Sequence, residues 1–156
     1  MATRPAHPVF GLVIPDMAKG LWADIASGIR QAAQRDGHGV CVPLCWDDPA
    51  AVLRHPSAFA RLCAEAGIDG VFLRAFTDRK DTRRVLSALR REKIPVALLR
   101  INDESPVGGA GFDVVTLRSE GRVPSLLAAQ LGSVACHALL QCLAKPRNPP
   151  ADLVLE

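Results

Sequence analysis

The chain lacks the residues that several chemistries require. It has no polybasic block of lysine and arginine, and its formal net charge is only +3. A balance that small does not by itself point to nucleic acid. No apolar run approaches the ~20 residues of a membrane helix, and the opening MATRPAHP is no signal peptide. The expected location is the cytoplasm, away from any membrane. Neither Gly-x-Gly-x-x-Gly nor Gly-x-x-x-x-Gly-Lys-Ser/Thr occurs, so no cofactor is expected. Internal repeats and low-complexity tracts are missing as well.

Cysteine and histidine do occur, but not in useful arrangements. The cysteines are Cys41, Cys45, Cys63, Cys136 and Cys142, an odd number without a secretion signal, which argues against a disulfide framework. Cys41 and Cys45 find no second Cys/His pair at zinc spacing, so no metal site is expected. On a strand both thiols would lie on one face and behave as small apolar side chains. His7 falls in a tail, His38 in a turn, His55 before Pro56, and His137 on an apolar helix. No nucleophile stands with a base, and no catalytic residue is assigned.

What is present is a globular pattern. Hydrophobic residues make up 49% and charged residues 22%, and 156 residues suffice for one core. Val9–Ile14 is an unbroken apolar run, as in a strand buried on both faces. Leu21, Trp22, Ile25, Ile29, Ala32 and Ala33 recur at helical spacing up to Arg35, and Gly37 sits where that helix would stop. Strand Val40–Leu44 follows, then a helix over Ala51–Ala66 with Pro56 as an irregularity. Next come strand Val71–Leu73, a helix over residues 81–93, and a strand entered at Pro95. The glycine-rich loop Ser105–Gly111 leads to strand Phe112–Leu117. A long helix, Ser125–Ala144, and a short strand, Leu153–Leu155, complete the chain.

Alternation of this kind predicts parallel βαβ units with right-handed crossovers. The expected fold is α/β, a three-layer doubly wound parallel sheet in the flavodoxin-like order 2-1-3-4-5, with Leu153–Leu155 added at an edge. Residues 1–8 are expected to form a disordered tail and residues 9–156 a single lobe. A receiver domain would need an acidic pair after the first strand, an Asp after the third and a Lys after the fifth. Asp16 has no acidic neighbour, and Arg74 and Arg118 follow the other two. A flavodoxin would need a Ser/Thr-rich phosphate loop where PDMAKG stands.

FGLVIPDMAKGLWADIASGIRQAA, DGHGVCV, DDPAAVLRH, AGIDGVFL and IPVALLR, in that order, resemble the N-terminal lobe of type I periplasmic-binding-protein folds. They are most similar to the core of lac-repressor-type transcription regulators. The resemblance covers about Val9 to Leu117, and the last helix and strand also resemble that family's return to the same lobe. It implies a lobe that closes on a sugar or similar effector and takes part in dimerisation. The family's helix-turn-helix and second lobe have no counterpart here, so direct nucleic-acid binding by this chain is not expected.

In open α/β sheets ligands bind beyond the carboxyl ends of the strands. That rule selects Asp16, Lys19, Leu21 and Trp22 after the first strand, and Asp47 after the second. Arg74 and Phe76 follow the third, Arg100 closes the fourth and Arg118 follows the fifth. The resembled family carries Asn-Pro-Phe-Phe in its first turn, Asp-Arg after the fourth strand and Asp-Asn after the fifth. This chain has Lys19-Gly20-Leu21-Trp22, Arg100-Ile101 and Leu117-Arg118 there. Carboxylates and amides that would hold sugar hydroxyls give way to guanidinium groups, which suit carboxylate or phosphate. The cations could equally be solvated or paired with Asp16, Asp47 and Asp48. The expected partners are a weakly held sugar or small anion and a second copy of the chain. The alternatives are a truncated or engineered single lobe with no retained ligand binding and a stand-alone protein-interaction module, for which Arg79, Lys80, Arg83, Arg84, Arg90 and Arg91 offer a charged surface.

Overall fold

The computed structural model describes residues 6–14, 20–44, 49–76, 78–102, 113–145 and 152–156. Six strands form one wholly parallel sheet: β1 (Val9–Val13), β2 (Val40–Pro43), β3 (Gly70–Arg74), β4 (Val96–Ile101), β5 (Asp113–Leu117) and β6 (Asp152–Leu155). Their order is β2-β1-β3-β4-β5-β6, the expected doubly wound order with the last strand added beside β5. Strand order reverses between β2 and β3, on either side of β1, and this leaves room at the carboxyl edge.

Helices cover both faces because the strands are apolar on both. On one face α1 (Gly20–Gly37) and α5 (Ser125–Ala144) pack over Phe10, Leu12, Phe72, Leu99 and Val115. On the other, α2 (Pro49–Arg54), α3 (Pro56–Glu65) and α4 (Arg79–Arg91) cover Val13, Val71, Leu73, Val96 and Leu98. Phe10 and Phe72 meet edge to face at 5.4 Å between ring centroids. The α1–α5 contact is close because it is made at glycines. A Cβ at Gly28 would collide with the Ala129 carbonyl, and one at Gly132 with the Ile25 carbonyl.

Some expectations are revised. The single helix over Ala51–Ala66 is two, α2 and α3, parted at His55. Pro56 has no N–H to continue the ladder and disfavours helical backbone before it, and His55 takes φ −135°, ψ 65°. The helix expected over residues 81–93 starts earlier, at Arg79, because the Asp78 carboxylate caps it by accepting the Lys80 N–H at 2.8 Å. It ends before Lys93, whose φ is +59°. Helix α1 runs through Gly37, and the left-handed residue that ends it is His38, at φ +51°. Phe112 and the loop 105–111 lie outside the described residues.

The expectation that no run is apolar enough for a membrane helix is revised too, since α5 is long and apolar enough to cross one by length and composition. Here it is a core helix. Ala128, Leu131, Ala135, Cys136 and Leu139 are buried, and Gly132 rides on α1. Cys63 and Cys136 are buried and not joined in disulfides, while burial pushes the half-buried Cys41 thiol up to about 11. Cys45 lies outside the described residues. No cluster of metal-ligating side chains occurs among the described residues.

Candidate functional site

The carboxyl edge of the sheet carries a cleft of about 320 Å³ lined by Leu21, Trp22, Arg74, Phe76 and Arg100, with Ala75, Leu99 and Ile101 between them. Five residues selected from the sequence are thus brought together. Helix α1 contributes Leu21 and Trp22 from its first turn, so its positive dipole end is at the site. Strand β3 ends in Arg74, whose guanidinium lies over the Trp22 ring at 4.9 Å from its centroid. Such a contact orients both side chains and leaves the guanidinium edge free to donate.

Arg100 is held differently. It is only 7% exposed, and its Nε donates to Thr116 Oγ1 at 3.1 Å across the β4–β5 pair. Phe76 is fixed by Thr82 on the first turns of α4: the Phe76 N–H donates to Thr82 Oγ1 at 2.9 Å. Thr82 is itself buried, so the wall after β3 is tied to the core.

Arg118 is not brought to this cleft. Its backbone N–H donates to the Leu155 carbonyl at 2.8 Å, and Nη1 lies 3.9 Å from Glu156 Oε1. The residue after β5 therefore answers to β6. Its Nε is buried without a partner among the described residues. Asp16, Lys19 and Asp47 lie outside the described residues. Sequence reasoning did not name Leu99 or Thr116 for the site. Alternation along β4 and β5 is the signal that marks Thr116 as the cross-strand neighbour of Arg100.

Chemically the described lining offers two guanidinium groups, a helix N-terminus, one indole and apolar side chains. It contains no histidine, cysteine or carboxylate among the described residues, hence no group ready to exchange a proton near neutrality.

No family model matches the sequence, and no curated protein matches it. Solved structures do. The chain is similar to a 3-dehydroquinate dehydratase-like protein from Bifidobacterium longum, at 14% identity and a TM-score of 0.54, over 90% of this chain and 100% of that one. It is similar to the lac repressor dimer bound to operator and the anti-inducer ONPF, at 13% identity and a TM-score of 0.52, over 95% of this chain and 48% of that one. The transcription regulator CcpA of Lactococcus lactis gives 12% identity, a TM-score of 0.51, and coverage of 95% and 58%. The chain spans about half the length of these regulators. At such identities likeness speaks of fold alone, and the fold is that of the lac-repressor-type core, shared here with a dehydratase-like protein.

Proposed function

We propose that this chain is a non-catalytic binding lobe that senses a small anionic effector. The observation that carries the reading is the pairing of Arg74 and Arg100 in one cleft with the first turn of α1. Guanidinium groups and a helix N-terminus favour a carboxylate or phosphate over a neutral ligand. The lac repressor and CcpA comparisons support an effector-binding role through the shared fold. The lining chemistry supports binding over catalysis, since neither a base nor a nucleophile lines the described cleft.

Neutral sugars fit less well. One face of Trp22 is already taken by Arg74, and the lining supplies no carboxylate or amide side chain among the described residues to grip hydroxyls. The cleft is also partly open to solvent, whereas tight sites bury most of their ligand. Isothermal titration with pentoses, hexoses, small carboxylates and inorganic phosphate tests the reading. Carboxylates or phosphate are expected to bind, and Arg74→Ala to weaken them. Neutral sugars are expected no tighter than about millimolar, near −4 kcal/mol. A sugar bound at micromolar affinity and lost in Trp22→Ala would overturn the anionic assignment.

Self-association is a second reading, favoured by Val40 and Val42, which are 59% and 40% exposed on the edge strand β2.

A further inference from the structure

Helix α4 carries a charge pattern that the cleft does not use. With 3.6 residues per turn, Arg79, Arg83 and Arg90 fall on one stripe and Lys80, Arg84 and Arg91 on the next, an arc of about 140°. Ser87 is the only other residue in that arc, and all seven side chains are exposed. Thr82, Val85, Leu86 and Leu89 bury the opposite side. Asp81 lies outside the arc. It reaches Arg84 at 3.7 Å in an exposed pair that salt readily screens. Asp78 is committed to the cap.

Helix stability accounts for only part of the pattern, since Arg90 and Arg91 in the last turn suit the helix dipole. Cations in the first turn oppose the helix dipole, and Arg79/Arg83 and Lys80/Arg84 are like-charge pairs four residues apart. In its N-terminal half the arrangement works against the helix, and the whole makes a cationic strip about 18 Å long. Beside its N-terminal half, between α2 and α4, lies an open groove of about 830 Å³. Half-buried Leu53 and Phe76 give it an apolar lining, and Arg79, Lys80 and Arg83 outnumber Asp78 and Asp81 around it.

We propose that this face docks an acidic peptide segment of another protein, its carboxylates on the arc and one apolar side chain in the groove. Five of the six cations are arginine, whose planar fork pairs with carboxylates in bidentate fashion. An extended peptide presents side chains on one face every ~6.6 Å, close to the ~6 Å rise from Arg79 to Arg83. Leu53 suits an aliphatic peptide side chain, whereas single-stranded nucleic acid binds best where several open aromatic faces stack its bases, and the described lining has only half-buried Phe76. The arc has no aromatic or leucine with which to enter a bilayer, unlike helices that lie in membrane interfaces.

The test is fluorescence polarisation with a labelled glutamate-rich peptide carrying one central leucine, against the same peptide with alanine there. The leucine peptide is expected to bind at low salt and to weaken several-fold on going to alanine. The charge reversals Arg83→Glu/Arg84→Glu and Arg90→Glu/Arg91→Glu are each expected to weaken it by about tenfold or more. Both pairs are exposed, and if one variant fails to fold, the other and the leucine–alanine comparison still decide. Equal binding of the two peptides, or equal competition by a single-stranded oligonucleotide, would show a general polyanion surface and overturn the assignment. So would no binding, or indifference to both charge reversals.

Discussion

At the scale of single residues, Asp36 shows what a short side chain can tie together. It closes α1 and lies 2.6 Å from His137 Nε2 on α5, while Arg35 Nη2 donates to it at 3.1 Å. The Arg35 guanidinium first, and His137 second, hold its carboxyl down at about 2. A carboxyl depressed on folding stabilises the fold above its unfolded value, and that contribution is lost as pH falls through the folded value. Stability contributed by Asp36 should be complete above roughly pH 4 and disappear towards pH 2. Thermal melts of the wild type and Asp36→Asn should differ near neutrality and converge at the acid end. A constant difference across that range would mean the carboxylate is not the source.

Single residues also show where sequence reading succeeded in the site and where it stopped. Arg74 and Arg100 were legible because they stand at the C-terminal ends of buried parallel strands, which place them at the carboxyl edge. Arg118 obeys the same rule along the chain, but β6 closes beside β5 and Arg118 faces Glu156 instead. Which neighbour a strand acquires is a long-range fact that no local pattern encodes. The contact of Arg74 with Trp22 is of that kind too, since the two are joined only through the β1–β3 pairing.

At the scale of elements, strands and helices were readable because burial on both faces leaves continuous apolar runs, and burial on one leaves a 3.6-residue period. Breaks were less readable. Pro56 was visible, yet whether it bends a helix or divides it depends on whether His55 can leave helical backbone. The α1–α5 crossing was hidden altogether, since a glycine inside a helix looks like a defect until its neighbour is known. Gly132→Ala gains about 0.5–1 kcal/mol from helix propensity. Its methyl group would nevertheless meet the backbone of Ile25 and Ile29, where no side chain can swing aside. Overpacking of this sort costs about 1–3 kcal/mol, so a net loss is expected. At about 2–4 °C per kcal/mol, Tm should fall by a few degrees. Leu126→Ala, at an 83% exposed position of the same helix, is the control and should leave Tm nearly unchanged. An unaltered melt for Gly132→Ala would show that the two helices can part without cost.

At the scale of the whole molecule, the edge strands of the described sheet are β2 and β6, each four residues long. Strand β6 carries Asp152 at its start and exposes Val154. Strand β2 ends at Pro43 and exposes Val40 and Val42, and the helices leave both uncovered. Sheet edges invite pairing unless charge, proline or covering protects them, and Pro43 protects only the last position of this one. Apolar side chains beside unpaired backbone form a self-complementary surface, which a twofold axis can satisfy with one patch. We expect concentration-dependent association at micromolar levels in sedimentation velocity. Val40→Lys with Val42→Lys should shift the population to monomer. The same variant should leave the melt close to wild type, since neither side chain belongs to either buried cluster. That pairing of results matters, because loss of association together with loss of fold would only report damage. A monomer at every concentration, before any substitution, would mean that Pro43 and the twist of the edge already suffice to keep copies apart.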